Sequence, residues 1–142
     1  MRLNVAEAAP GPYKALRSAE TALGHGPLSA TIRELVKIRV SQINGCVFCV
    51  TLHSREAQRI GITEERLTEL PVWQESELFN AQERAALDYA EAVTRGHLDD
   101  ERWEALREEL SEEEIGYLAV QVAHINALNR IGAPMRMKPP RR

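Results

Sequence analysis

The sequence has few aromatic residues and no long apolar run. Aromatic side chains make up 5% of the 142 residues, so the core must be built from Leu, Ile, Val and Ala. No apolar stretch approaches the roughly 20 residues that a membrane-spanning helix needs. Residues 1–12 also lack the basic-then-apolar order of a signal peptide. We therefore expect no membrane association and a cytoplasmic location.

Acidic residues slightly outnumber basic ones, 21 to 18. The formal net charge is -3, whereas proteins that bind nucleic acid usually present a basic face. The composition therefore predicts no nucleic-acid partner. The segment from Lys138 to Arg142 is basic, but it is short and is interrupted by Pro139 and Pro140, so we interpret residues 135–142 as a flexible tail. The length suits a single domain over residues 1–142, with a core of its own.

The chain shows no β-strand pattern. Nowhere do roughly four to eight residues alternate between β-branched and polar side chains. Helix signals recur instead, as N-caps at Ser29, Thr63 and Asp99 and as capping boxes that begin at Asn80 and Ser111. The predicted helices span residues 11–23, 29–43, 46–60, 63–70, 80–95, 99–109 and 111–132. We predict an all-α fold of about seven helices.

The last predicted helix carries a stripe of small residues. Gly116, Ala119, Ala123 and Ala127 follow one another at spacings of three or four positions. Small side chains of this kind let another helix approach closely. We interpret the stripe as tight packing within the chain, with a subunit interface as the alternative.

Only two cysteines are present, and they lie three positions apart. Purely structural disulfides are rare in the cytoplasm, so a C-x-x-C pair indicates redox chemistry or metal binding. A rotation of about 100° per residue along the predicted helix places Cys46, Cys49 and His53 on one face, together with apolar residues. We therefore expect both thiols and the imidazole to point inward or into a cleft.

The position of the pair at the start of a helix favours a reactive thiolate. Unpaired backbone N–H groups and the positive end of the helix dipole meet there, and they lower a thiol pKa below its free value of about 8.5. His53 lies one turn beyond Cys49 and can accept the thiol proton. The spacing also lets the two sulfurs close a disulfide.

Two other interpretations of these residues stay open. Both cysteines can be inert buried residues, and a histidine on an apolar face is usually structural. Zinc is the other possibility, but Cys46, Cys49 and His53 supply three ligands where a structural zinc ion has four. The other three histidines are isolated along the sequence, so we predict no bound metal and no cofactor.

The segment from Arg33 to His53 resembles the AhpD-like alkylhydroperoxidase family, within the carboxymuconolactone decarboxylase superfamily. The family motif has a Glu ahead of C-x-x-C-x-x-x-H, and here Glu34 precedes Cys46 by twelve positions. The similarity is strongest over residues 28–61. The resemblance implies an AhpD-like helical bundle that assembles as a homo-oligomer, either a trimer or a hexamer.

The resemblance also implies a thiol peroxidase that reduces hydroperoxides. Carried over by position, Cys49 is the nucleophile that becomes a sulfenic acid, and Cys46 is the proton donor and resolving thiol that closes the disulfide. His53 and Glu34 form the proton relay, in which Glu34 orients the imidazole. Since the cycle consumes two electrons, an external dithiol of lipoyl or thioredoxin-like type must reduce the disulfide.

Two features qualify these roles. Phe48 stands where well-known peroxidase members carry a second histidine, so we expect a shorter relay. Glu34 lies opposite the main apolar stripe of its helix, so periodicity alone predicts a solvated side chain.

Two other functions are alternatives to the thiol peroxidase. One is a non-catalytic redox-sensing or binding subunit, and the other is a lyase or isomerase that uses His53 and Glu34 as acid and base on a small organic acid.

Overall fold

The protein is built of helices throughout residues 1–141, the part of the chain that the computed structural model describes. The helices are α1 Val5–Ala8, α2 Pro10–Leu23, α3 Ala30–Asn44, α4 Val47–Arg59, α5 Glu64–Glu69, a 3-10 helix Leu70–Glu75, α6 Ala81–Arg95, α7 Asp100–Glu109 and α8 Glu112–Gly132. Residues 1–141 contain no β-strand, which confirms the predicted all-α fold. No helix in that range is long and apolar enough to span a bilayer. Residue 142, the last of the predicted tail, lies outside the described residues.

The helix boundaries follow the capping signals in the sequence. Each predicted N-cap side chain accepts a hydrogen bond from the backbone N–H three residues further on: Ser29, Thr63, Asn80, Asp99 and Ser111. Helices α3 and α6 end at glycines in the left-handed region, Gly45 with φ 71° and Gly96 with φ 78°, where a Cβ is disfavoured. Helix α1 and the 3-10 helix were not predicted, because elements of one or two turns are too short to show a helical period.

Helix α3 lies at the centre of the bundle. It packs against α4, α6 and α8, and its apolar residues contribute to two separate clusters of buried side chains. As a result, residues 34–38 are all buried. A full turn of α3 has no face toward solvent, so its polar side chains in that turn must find partners inside the protein.

The segment after α8, predicted to be a flexible tail, contacts the helices along its described part, residues 135–141. The chain turns back at Arg136, which has a left-handed backbone with φ 56°, and the Met137 N–H donates to a carbonyl in the last turn of α8. The Arg55 guanidinium on α4 donates to the Pro140 carbonyl at 3.1 Å. These contacts hold Met137 beside the cysteine pair.

The stripe of small residues on α8 faces partly outward. Gly116 and Ala123 are exposed, and a Cβ added at Gly116 would meet no other atom. The interpretation of the stripe as packing within the chain is therefore wrong at these two positions, because α8 packs on α2, α3 and α6 with its other sides. Exposed Val120 continues the same surface. A subunit interface here stays a prediction.

Candidate active site

The cysteine pair lies where α3 ends and α4 begins. Gly45 turns the chain, and Cys46 is the N-cap of α4. The backbone N–H of Cys49 points at the Cys46 sulfur, with 3.3 Å between nitrogen and sulfur. The two sulfurs are joined as a disulfide, and the Cα atoms are 5.3 Å apart. When the disulfide is reduced, the N–H and the helix dipole favour a thiolate on Cys46.

Only one of the two cysteines lines a cavity. Cys46 is 1% exposed and Cys49 is 6% exposed, and a cavity of about 80 Å³ opens on Cys49 but not on Cys46. Its apolar walls come from Phe48, Leu52, Ile125, Leu128 and Met137. Its polar walls come from Tyr13, Arg17, Glu20, Lys37 and His53. A small reactant can therefore reach Cys49 directly, whereas Cys46 lies behind it.

Helix α8 approaches the disulfide at Gly132. A Cβ placed on Gly132 would lie 2.8 Å from the Cys46 sulfur and 3.5 Å from the Cys49 sulfur. The first distance is shorter than van der Waals contact, and bonded sulfurs cannot easily move aside. Only glycine fits here without a shift. The sequence predicted only a helix end at Gly132, because a contact between positions so far apart in the chain leaves no local signal.

We expect Gly132→Ala to lower the free energy of unfolding of the oxidised protein by about 1–3 kcal/mol through overpacking. The loss should be smaller in the reduced protein, because separated sulfurs can move away from the new methyl group. Urea denaturation with and without a dithiol reductant measures both values. Gly116→Ala is the control on the same helix. No sulfur lies near Gly116, so its effect on stability should be the same in the two redox states. Equal losses in the two redox states contradict the proposed contact.

His53 and Glu34 meet across the α3–α4 interface. His53 Nδ1 lies 3.2 Å from Glu34 Oε2, so the carboxylate holds the hydrogen of the neutral ring on Nδ1. Nε2 then carries no hydrogen, and the ring lines the cavity. The solvated side chain that periodicity predicts for Glu34 is wrong, because α4 covers this side of α3. Burial raises the pKa of Glu34, but the hydrogen bond to His53 and the charge of Lys37 outweigh it and hold that pKa below its usual value.

Glu34 belongs to a largely buried network of charged side chains that was not predicted from the sequence. Lys37, one turn along α3, is 3% exposed. Its Nζ lies 2.7 Å from Glu34 Oε1 and 2.5 Å from Glu20 Oε1. Lys37 and Glu20 also line the cavity that opens on Cys49. The spacing of Glu34 and Lys37 is a visible helical ion pair, but such pairs are usually solvated, so the spacing alone does not mark a site.

The network ends on α8. Glu20 Oε2 accepts a hydrogen bond from the Gln121 amide at 3.2 Å and lies 3.4 Å from His124 Nδ1, an ion-pair distance without good hydrogen-bond alignment. His124 Nε2 donates to the Leu16 carbonyl at 2.6 Å. The Glu20 carboxylate, aided by that carbonyl, raises the pKa of His124 above its usual value. Burial raises the pKa of Glu20, but His124 and Lys37 together hold it far below its usual range.

The structure thus brings together all four residues that the sequence singles out. Cys46 and Cys49 are bonded to each other, and His53 shares the cavity with Cys49 while Glu34 holds its far nitrogen. Within residues 1–141, no three His, Cys, Asp or Glu side chains form a group that could hold a metal ion. The arrangement is suited to thiol and proton chemistry.

Known proteins share both the sequence and the fold. Residues 10–92 match the carboxymuconolactone decarboxylase family. The chain is 36% identical over 137 residues to the uncharacterized protein YdfG of Bacillus subtilis strain 168, across 94% of this chain and 93% of that protein. An Agrobacterium tumefaciens protein of unknown function, proposed to be the antioxidant defence protein AhpD, has a TM-score of 0.94 at 36% identity over 99% of each chain. The debrominase Bmp8 has a TM-score of 0.85 at 25% identity, over 94% of this chain and 74% of that one.

The matched segment contains the whole cysteine site. Glu34, Cys46, Cys49 and His53 all lie within residues 10–92, and the similarity of fold extends over nearly the entire length of the Agrobacterium protein. These findings confirm the resemblance drawn from the motif. The chain therefore belongs to the carboxymuconolactone decarboxylase family, as one of its AhpD-like members.

Proposed function

We propose that the protein is a thiol peroxidase that reduces hydroperoxides through a disulfide cycle of Cys46 and Cys49. The observation that carries the proposal is a buried disulfide of which one cysteine, Cys49, lines a small cavity together with the imidazole of His53. A hydroperoxide that enters the cavity meets the nucleophile and its base together. The mostly apolar walls suit an organic hydroperoxide.

The first half of the cycle takes place on Cys49. His53 accepts the thiol proton through Nε2, because Glu34 keeps the hydrogen of the neutral ring on Nδ1. The Cys49 thiolate attacks the distal peroxide oxygen, the O–O bond breaks, and the sulfur becomes a sulfenic acid. The proton on His53 goes to the departing alkoxide, so the product is an alcohol. Phe48 lies in the cavity wall and carries no proton, so this relay depends on His53 alone.

The second half of the cycle takes place on Cys46. Its sulfur, which the Cys49 N–H and the helix dipole favour as a thiolate, attacks the sulfenic sulfur. The new S–S bond forms as hydroxide leaves and takes up a proton as water. One hydroperoxide and two thiols thus give one alcohol, one water and one disulfide.

An external dithiol completes the cycle. Its thiolate attacks Cys49, the sulfur that faces the cavity, and Cys46 leaves as a thiolate before the second thiol of the donor releases the mixed disulfide. We expect this donor to be of lipoyl or thioredoxin-like type, and no bound cofactor is needed. We also expect a cytoplasmic homo-oligomer, a trimer or hexamer, in which the exposed surface of α8 around Gly116 and Val120 contacts another copy.

Thiol titration tests the proposal. The reduced protein should lose two thiols within minutes of adding one equivalent of an organic hydroperoxide, with formation of the corresponding alcohol. A dithiol such as dihydrolipoamide should restore both thiols. Hydrogen peroxide at the same concentration shows whether the cavity favours organic hydroperoxides over this smaller, polar one. Thiols that survive a large excess of every hydroperoxide contradict the proposal and favour a redox-sensing subunit, or a lyase or isomerase that uses His53 and Glu34.

A second candidate is the reductive removal of bromide from a small aromatic ring. The fold is similar to that of the debrominase Bmp8, which was also solved, as a cysteine-to-alanine variant, in complex with 2,3,4-tribromopyrrole. The cavity beside Cys49 has the apolar walls that a brominated ring would contact. The electron balance is the same, since two thiols become a disulfide while a C–Br bond becomes C–H and bromide leaves. The test is the release of bromide from tribromopyrrole by the reduced protein. If bromide is released and no hydroperoxide reacts, debromination replaces peroxide reduction as the proposed function.

A further inference from the structure

We infer that Lys37 is a positioning residue for His53: it keeps the Glu34 carboxylate ionised and in place, and Glu20 holds Lys37 there in turn. The inference rests on the proposed function, because it concerns the base that takes the proton from Cys49. Lys37 does not bond to either sulfur, and it acts through Glu34. It therefore differs from the four residues that the sequence singles out.

The Lys37 ammonium group lies between two carboxylates. Lys37 is almost fully buried and has two carboxylate oxygens within hydrogen-bond distance, one from Glu34 at 2.7 Å and one from Glu20 at 2.5 Å. An ammonium so far from solvent stays charged only beside negative partners. Glu34 and Lys37 are both almost fully buried, and burying ionised groups is costly. A helix that only had to be stable would be expected to carry apolar residues at these two positions.

The tautomer of His53 depends on whether Glu34 is ionised. A neutral Glu34 carboxyl could donate its own hydrogen to His53 Nδ1, and the ring hydrogen would then sit on Nε2. With Nε2 occupied in this way, His53 could not accept the Cys49 proton. An ionised Glu34 can only accept, so it fixes the hydrogen on Nδ1. Burial alone favours the neutral carboxyl. The hydrogen bond to His53 and the charge of Lys37 both oppose it, and Lys37 is the lysine that supplies the positive charge.

Other charged groups surround Glu34, Lys37 and Glu20. Helix α2 contributes Glu20 and, at the cavity wall, Arg17; α4 contributes His53; and α8 contributes His124, which faces Glu20. Glu20 therefore has cations on two sides, whereas Lys37 is the only lysine or arginine in contact with Glu34 within residues 1–141. Removing Lys37 changes the environment of Glu34 far more than any other single substitution of a cation here.

The test measures thiol reactivity against pH. In a Cys46→Ser background, so that one thiol reports, the rate of Cys49 alkylation by iodoacetamide is followed from pH 5 to pH 10. We expect Lys37→Gln to move the midpoint upward by about one pH unit, so that alkylation near pH 7 is about tenfold slower. Lys37→Arg should keep the rate within about twofold, because a cation remains. The exposed Lys14→Gln on α2 is the matched control and should change nothing.

A second variant covers the case in which Lys37→Gln does not fold. The double variant Glu20→Gln with Lys37→Gln removes one charge of each sign, so the buried region keeps its net charge while Glu34 loses its cation. It should show the same upward shift. A midpoint at the parent value in either folded variant overturns the positioning role.

The nitrogen NMR spectrum of His53 adds a readout that a merely structural role would not move. In the reduced parent protein we expect the neutral ring to carry its hydrogen on Nδ1, and in Lys37→Gln we expect a mixture with the Nε2–H form. Alkylation and NMR require no peroxide. If the parent protein ignores hydroperoxides while both readouts shift, the proposed function fails and the role of Lys37 stands; if peroxide is turned over but neither readout shifts, only the role of Lys37 fails.

Discussion

Cys49→Ser is expected to lower the rate of hydroperoxide reduction by on the order of a thousandfold or more, as loss of a covalent nucleophile does elsewhere. A serine hydroxyl is hardly ionised at neutral pH and is a poor nucleophile toward peroxide oxygen. The measurement is the rate of alcohol formation from an organic hydroperoxide with excess dithiol. A rate near that of the parent protein contradicts the assignment of Cys49.

Cys46→Ser is the matched variant, because it removes the other sulfur of the same disulfide. Cys49 should still react once and become a sulfenic acid, which dimedone traps, but no intramolecular disulfide can follow. Two features of the site favour different cysteines as the nucleophile. The cavity opens on Cys49, which favours Cys49, whereas the helix N–H points at Cys46, which favours a thiolate there. If Cys46→Ser abolishes the first turnover and Cys49→Ser keeps it, the two roles are exchanged.

The largest loss of stability is expected from Glu91→Ala. Glu91 on α6 is buried and accepts hydrogen bonds from the Arg39 guanidinium at 3.1 Å, the Trp73 indole at 2.9 Å and the Arg95 guanidinium at 3.0 Å. Its removal leaves a largely buried arginine and a buried indole N–H without their acceptor. Because an unpaired buried charge is costly, the free energy of unfolding should fall by about 3–5 kcal/mol, measured by urea denaturation.

Glu56→Ala is the control for Glu91→Ala. Glu56 also accepts three hydrogen bonds, all from Arg59, but the Arg59 side chain is 76% exposed. Water replaces the lost carboxylate there, so we expect no measurable change in the denaturation midpoint. Similar losses in the two variants would mean that burial is not what makes Glu91 important.

Much of the fold was predictable from the sequence because its signals are local. A cap, a capping box or a left-handed glycine depends on residues three or four positions apart, so the pattern and the contact coincide, as at Ser29 and Gly96. The placement of Cys49 and His53 on one helix, with Cys46 at its start, was predictable for the same reason. The match with the family motif then identified Glu34, which lies on the preceding helix.

The rest of the site was not predictable because it depends on contacts between distant helices. Glu20, Lys37 and His124 come together from three different helices. Gly132 contacts a disulfide whose cysteines lie more than eighty positions earlier in the sequence. The periodicity of α3 misplaced Glu34 because it identifies one apolar face and assigns the opposite face to water. A helix enclosed on every side violates that assumption.

The enclosure of α3 has a consequence for the sequences that can replace this one. Residues 34–38 are buried without exception, whereas Leu106 is the only buried residue of α7. A surface helix such as α7 can accept most substitutions at most positions, so it can drift freely between related proteins. In α3 every position of that turn is constrained, either by apolar packing or by the charges around Lys37. Diversity among descendants of this chain should therefore accumulate on the periphery, while the α3 turn that supports His53 changes slowly and through paired substitutions.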